Sequence, residues 1–238
     1  MPNFRTPRII GRIVKWLIVL FVLAINALLI WRVFFSTVPP KEISTMIAGE
    51  RLSAAYAQYG DELQLLYQDQ ASITRAENNY GYFSVTQCVF IPEAGQVQIV
   101  VRYNNSTIRH LKEDYALEEM PSREDTLFDV TLVKTTDLTP DDPDDNLDPA
   151  KLSRERYSPS EGTVRATTAL YTYCRYVFEG VCVDDLTVGV FADIYYVEDI
   201  DYDREAYGTL CLYDNLSEWL EYDLTKADRE SLAAKAEP

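Results

Sequence analysis

Sixteen consecutive residues, Trp16 to Trp31, read WLIVLFVLAINALLIW, and Asn26 is their one polar interruption. Lys15 and Arg32 flank the run, and Ile13, Val14, Val33, Phe34 and Phe35 extend its apolar character on both sides. Both flanking cations can keep their stems in lipid and their charges at the headgroups. The usable span is then residues 13–35, 23 in all. At roughly 1.5 Å per residue it reaches about 34 Å, which crosses a hydrocarbon core of about 30 Å. Trp16 and Trp31 stand where interfacial aromatics belong. A signal peptide has an apolar core of about 7–15 residues and a small-x-small cleavage site. Here Arg32 closes the run, and the following RVFFSTVPP offers no such site. A helix that is apolar all round suits lipid better than the flank of a soluble core. The sequence therefore predicts a retained transmembrane helix over residues 13–35, with membrane lipid as its first partner.

Charge sets the expected orientation. Arg5, Arg8, Arg12 and Lys15 precede the span with no acidic residue among them, whereas Lys41 after it is followed directly by Glu42. The positive-inside rule keeps residues 1–12 in the cytoplasm as a basic tail and sends the bulk of the chain outside the plasma membrane. The chain's formal charge is −16, and residues 1–38 carry five basic and no acidic groups, which leaves −21 on the remainder. Such a domain repels nucleic acid at long range, so a nucleic-acid partner is not expected.

Residues 36–79 read as a juxtamembrane linker and helix. Pro39 and Pro40 stiffen the exit from the membrane. Leu52, Tyr56, Tyr59, Leu63 and Leu66 then recur at spacings of 4, 3, 4 and 3, one face of a helix. Gly60 interrupts that face, and ELQLLYQ also reads as a strand. Residues 80–214 change texture. YFSVTQCVFI and QVQIVVRY flank the hairpin connection PEAG, and TLFDVTLVK, TVRATTALYTYCRYVF, LTVGVFADIYYV and AYGTLCLYD follow. In the second run Val97, Ile99, Val101 and Tyr103 alternate with Gln96, Gln98, Val100 and Arg102, the pattern of a half-buried strand. The predicted class is mainly β (α+β): an antiparallel, sandwich-like extracytoplasmic domain behind a membrane helix.

Residues 135–162 read as an acidic surface loop rich in Asp-Pro steps. Asp142, Asp144 and Asn146 have the first spacings of a calcium loop, but Leu147 occupies the glycine position and Ser153 the glutamate position. No metal site is expected there. Residues 215–238 read as C-terminal helices. Asn215 is the candidate N-cap with Glu218 three residues on, and Leu216, Trp219, Leu220 and Leu224 face a core. TKADRESLAAKAEP reads as a second short helix or a tail.

Few residues suggest chemistry. His110 is the single histidine, and Cys88, Cys174, Cys182 and Cys211 are separated by 86, 8 and 29 positions, with no CxxC pair for zinc. Neither a Gly-rich phosphate loop nor a Gly-x-Ser-x-Gly elbow is present, and no cofactor is expected. In length, in orientation and in having one histidine ahead of a strand-borne cysteine, the chain resembles the sortases. That resemblance implies a thiol nucleophile, an imidazole acid/base and an oxyanion-stabilising arginine. Cys174, His110 and either Arg175 or Arg204 are their counterparts here. The family pattern TLxTC departs in ALYTYC, where Thr172 is two before the cysteine and Leu170 four before it. In a strand that slip turns a residue to the opposite face.

The plainer reading of YTYCRY is a strand with two faces. Val164, Ala166, Thr168, Leu170, Thr172, Cys174, Tyr176 and Phe178 fall on one, and Arg165, Tyr171, Tyr173 and Arg175 on the other. Cys174 is then a small buried hydrophobe or a disulfide partner, with Cys211 the first pairing to test. Tyr171, Tyr173 and Arg175 are the candidate binding residues, because tyrosine and arginine are enriched at contact hot spots. The expected function is a non-enzymatic binding or scaffolding role beside a protein of the cell envelope. A sortase-like transpeptidase or hydrolase is the alternative.

Overall fold

The computed structural model describes residues 6–68, 74–75, 82–135, 154–160, 163–181, 189–200, 206–214 and 219–236. The calcium-spaced Asp142, Asp144 and Asn146 lie outside them, as do Ser153, Cys182, Arg204 and the Asn215 cap. The chain divides into two compact units: Met1–Val38 with Thr168–Leu170, and the remainder from Pro39 on.

The first unit is dominated by α1 (Thr6–Thr37). Its window Ile13–Phe35 is long and apolar enough to cross a membrane, and none of that window is buried within the chain. Asn26 returns its side-chain N–H to the carbonyl of Val22 at 2.8 Å, one turn back.

In the second unit two antiparallel sheets enclose the core. One has six strands in the order β11 (Leu220–Glu221), β1 (Leu66–Tyr67), β3 (Phe83–Ile91), β4 (Gln96–Asn104), β8 (Tyr171–Glu179), β7 (Val164–Thr167). The other has five, β2 (Thr74–Arg75), β10 (Gly208–Asp214), β9 (Gly189–Tyr196), β5 (Phe128–Thr135), β6 (Arg154–Tyr157). Their facing side chains fill one layer: Phe83, Ile99, Val101 and Phe178 from the first sheet meet Phe128, Val130, Ile194 and Leu212 from the second. Edge-to-face rings join them, with Phe83 and Phe128 centroids 4.9 Å apart and Tyr103 and Phe128 5.0 Å apart. A short helix, α4 (Thr107–Asp114), drops Ile108 and Leu111 into this core. The β3–β4 hairpin turns at Pro92–Gly95, where Gly95 takes the left-handed conformation (φ 56°) that favours glycine.

The mainly β, sandwich-like class expected from the sequence is what the chain adopts. Several elements differ from expectation. The juxtamembrane helix is shorter: α2 (Lys41–Ser44) and α3 (Glu50–Tyr59) form, and α3 stops at Gly60 (φ 58°). Leu63 and Leu66 therefore leave the helical face, and Leu66 joins β1. The strand expected over 163–178 is a hairpin, because the chain reverses at Ala169–Leu170 and β7 pairs with β8. Directly opposed residues share a face, so Val164 stands with Arg175 and Ala166 with Tyr173, the reverse of a continuous strand. Part of the expected acidic loop is strand β6, paired to β5. Leu220 and Glu221, expected in a helix capped by Asn215, are strand β11 paired with β1.

The C-terminal helix α5 (Lys226–Ala236) does form. Its start is a reciprocal cap: Asp228 N–H donates to Thr225 Oγ1 at 3.2 Å, and Thr225 N–H to Asp228 Oδ2 at 3.1 Å. TKAD is the local signature of such a cap, and α5 falls within TKADRESLAAKAEP, expected as a second short helix or a tail.

Candidate functional site

The central strands of the six-stranded sheet, β3, β4 and β8, are buried on both faces. Beyond the sandwich core, the sheet's outer face carries α3, α5 and the segment 43–48. Met46, Leu52, Leu63, Val89, Ile91 and Leu232 form one apolar cluster there, and Ile43, Val100 and Tyr173 form another. Gln96 and Gln98, expected to face water on a half-buried β4, are fully buried beneath this layer.

Arg175 sits in the middle of that layer with no solvent exposure. Its Nε donates to Ile43 O at 2.7 Å and its Nη2 to Ser44 O at 3.1 Å. Those carbonyls end α2, where no intrahelical donor can reach them. Nη1 donates to Gln98 Oε1 at 3.1 Å, and Nη2 also donates to Gln87 Oε1. Gln98 continues the work by accepting from Ile47 N–H at 3.0 Å and donating to Ile47 O at 2.9 Å, much as a neighbouring strand would. Its second N–H goes to Gln96 Oε1 at 2.9 Å. Met46 N–H is held by the buried Asp228 Oδ1 at 2.7 Å, so one carboxylate both caps α5 and ties down the segment 43–48. Residues 43–47 are thus fastened through their backbone to three side chains of the β unit. Burial lowers the Arg175 pKa to about 10, with Asp228 opposing that shift, so the guanidinium stays charged at neutral pH.

Gln87 reaches this site because β3 carries a bulge between Val85 and Gln87. Phe83 and Val85 point to the sandwich core, and after the extra residue Cys88 and Phe90 do so. That leaves Gln87 on the outer face. The sequence carries the signal as a phase slip in FSVTQCVF, apolar first at odd and then at even positions.

This corrects the expected binding face. Tyr173 and Arg175 are wholly buried, covered by residues 43 and 44 of the same chain. Tyr171 is half-buried at the end of the strand, its ring 4.6 Å from the Arg102 guanidinium.

The sortase-like constellation is not assembled. Cys174 lies on the core side of β8, and Arg175, the next residue, faces the opposite side of the sheet. His110 is on α4, its ring stacked on Tyr82 with centroids 5.1 Å apart and its Nδ1 3.7 Å from Glu113. Burial pushes the Cys174 thiol up to about 11 and Cys88 up to about 12. Cys211 does not join Cys174 in a disulfide. It belongs to β10 of the other sheet, where Leu210 and Leu212 take the core-facing positions and Cys211 alternates away from them. Among the described residues no group of three His, Cys, Asp or Glu is placed to hold a metal ion.

A pKa two units above that of a free thiol leaves about a hundredfold less thiolate near neutral pH. Alkylation of the folded chain, mapped by peptide mass spectrometry, is therefore expected to mark Cys174 and Cys88 at least about a hundredfold more slowly than after unfolding. Rapid single-site labelling of Cys174 would restore the nucleophile reading. No family model matches the chain, and neither does any curated protein or solved structure.

Proposed function

We propose that the chain is a single-pass anchor protein of the plasma membrane, with its basic tail in the cytoplasm. Its β unit then lies on the extracytoplasmic side and serves as a non-enzymatic binding or scaffolding module for a protein of the cell envelope. The observation that carries this reading is the 23-residue apolar helix Ile13–Phe35 with cationic residues on its N-terminal side. The buried, high-pKa Cys174 and its separation from Arg175 weigh against a thiol enzyme. A net −21 on residues 39–238 weighs against nucleic acid. The reading calls for no cofactor.

With Tyr173 and Arg175 buried inside the chain, Tyr171, half-buried at the end of β8, is the candidate binding residue that keeps solvent exposure. Tyr171→Ala is expected to reduce co-purification of the partner from native membranes while leaving the melting temperature within a few degrees of wild type. Orientation is tested on intact cells carrying tags at both termini. External protease should remove the C-terminal tag and spare the N-terminal one, and the reverse pattern would overturn the topology.

A further inference from the structure

Asn26 is the polar residue within a lipid-length helix, and its bond to Val22 O uses one of two N–H groups. Among the described residues the second N–H and the acceptor Oδ1 have no partner within the chain. In hydrocarbon no water replaces one. An amide is both donor and acceptor, so it is self-complementary when a second amide stands at the same depth. A second copy of this chain in the same orientation meets that condition by construction, and the basic tail sets one orientation for all copies.

The packing around Asn26 fits the same occupant. Val19, Val22, Asn26, Leu29 and Val33 recur at spacings of 3, 4, 3 and 4, a single stripe of α1. Written as heptads, Val19, Asn26 and Val33 take the first core position, with Val22 and Leu29 at the second. β-Branched residues at the first position with leucine at the second favour two parallel strands, and one asparagine there fixes register. All four apolar members are exposed on the isolated helix, from 39% for Val19 to 54% for Leu29. We propose that α1 pairs in parallel with α1 of a second copy along this stripe, with the two Asn26 amides hydrogen-bonded across the interface.

The inference rests on the membrane-anchor reading, and one experiment separates the two. Full-length chain labelled with donor or acceptor dye is reconstituted into phosphatidylcholine vesicles, floated on a density gradient, and titrated by energy transfer against the protein-to-lipid ratio. Wild type should float and associate. Asn26→Leu should float and associate about tenfold more weakly, the scale of an interhelical side-chain hydrogen bond in lipid. Asn26→Gln, which keeps the amide, should recover most of the association. A cysteine at Val22, on the stripe, should cross-link between copies in a way that one at Leu28, on the far side of α1, does not. Chain that fails to float overturns the anchor and the pairing together. Chain that floats but is monomeric, or Asn26→Leu that associates as wild type does, overturns the pairing and leaves the anchor standing.

Discussion

Arg175→Met is expected to destabilise the β unit by about 3–5 kcal/mol, the range for removing one partner from a buried charged network. Methionine fills much of the volume but donates nothing. Ile43 O, Ser44 O, Gln98 Oε1 and Gln87 Oε1 would each lose a donor, and a buried acceptor left unpaired costs about 1–3 kcal/mol before water relieves it. Some of that loss is offset, since the guanidinium need no longer be desolvated. Arg175→Lys should fall between, because an ammonium cannot span four acceptors spread over two segments and two glutamines. Urea unfolding of full-length protein in detergent micelles gives the energies. Limited proteolysis reports the local effect, which should be new cleavage within residues 41–48 below the global midpoint. Arg175→Met within about 1 kcal/mol of wild type would mean that the segment 43–48 is held by its apolar contacts alone.

Alkaline pH is expected to unfold the chain more sharply than its surface charge predicts. Cys88 and Cys174 have their pKa raised from 9.0 to about 12 and about 11, and Tyr103 and Tyr176 are raised well above 10.0, in each case chiefly by burial. An acid whose pKa is higher folded than unfolded contributes stability that is complete below the unfolded value. Between the two values the unfolded chain has released a proton that the folded chain retains, so stability falls as pH rises. The window opens near pH 9 for the thiols and near pH 10 for the phenols. Each such group costs about 1.4 kcal/mol per pH unit inside its window. Arg175 runs the other way. Its pKa is lowered from 12.5 to about 10, so above about pH 10 the unfolded chain holds the extra proton and stability gains. The raised acids, to which Tyr173, Tyr196, Tyr207 and Tyr222 add, outweigh the single gain from Arg175, with most of the fold gone by about pH 11. Equilibrium unfolding measured from pH 8 to 11 checks the slope. A flat profile through pH 10.5 would mean that Cys88 and Cys174, and with them Tyr103 and Tyr176, ionise in place.

Much of the β unit was legible because its determinants are local. The Gly95 turn, the alternation of Val97, Ile99, Val101 and Tyr103, and the core direction of Cys174 and Tyr176 follow from period two and turn chemistry. The hairpin at Ala169–Leu170 was not legible, since ATTAL lacks the glycine or asparagine that marks a tight turn. Leu220 was misread for a related reason. Its apolar spacing fits a helix, and pairing with β1 overrides a weak local preference. The Arg175 site failed differently. Arginine is ordinarily a surface residue, and its burial here depends on Ile43, 132 positions earlier, and on a bulge that turns Gln87 toward it.

By itself the sequence determined that residues 13–35 are long and apolar enough for a bilayer and that a mainly β unit follows. Both properties are carried by neighbouring residues, through hydropathy summed along a helix and alternation along strands. Tertiary structure alone decided what covers the second face of the six-stranded sheet. A period-two pattern states that a strand has two faces, but whether the outer one meets water or another segment depends on chain closure over more than a hundred residues. That closure placed Tyr173 and Arg175 inside the protein, where Arg175 fastens residues 43 and 44 through their carbonyls.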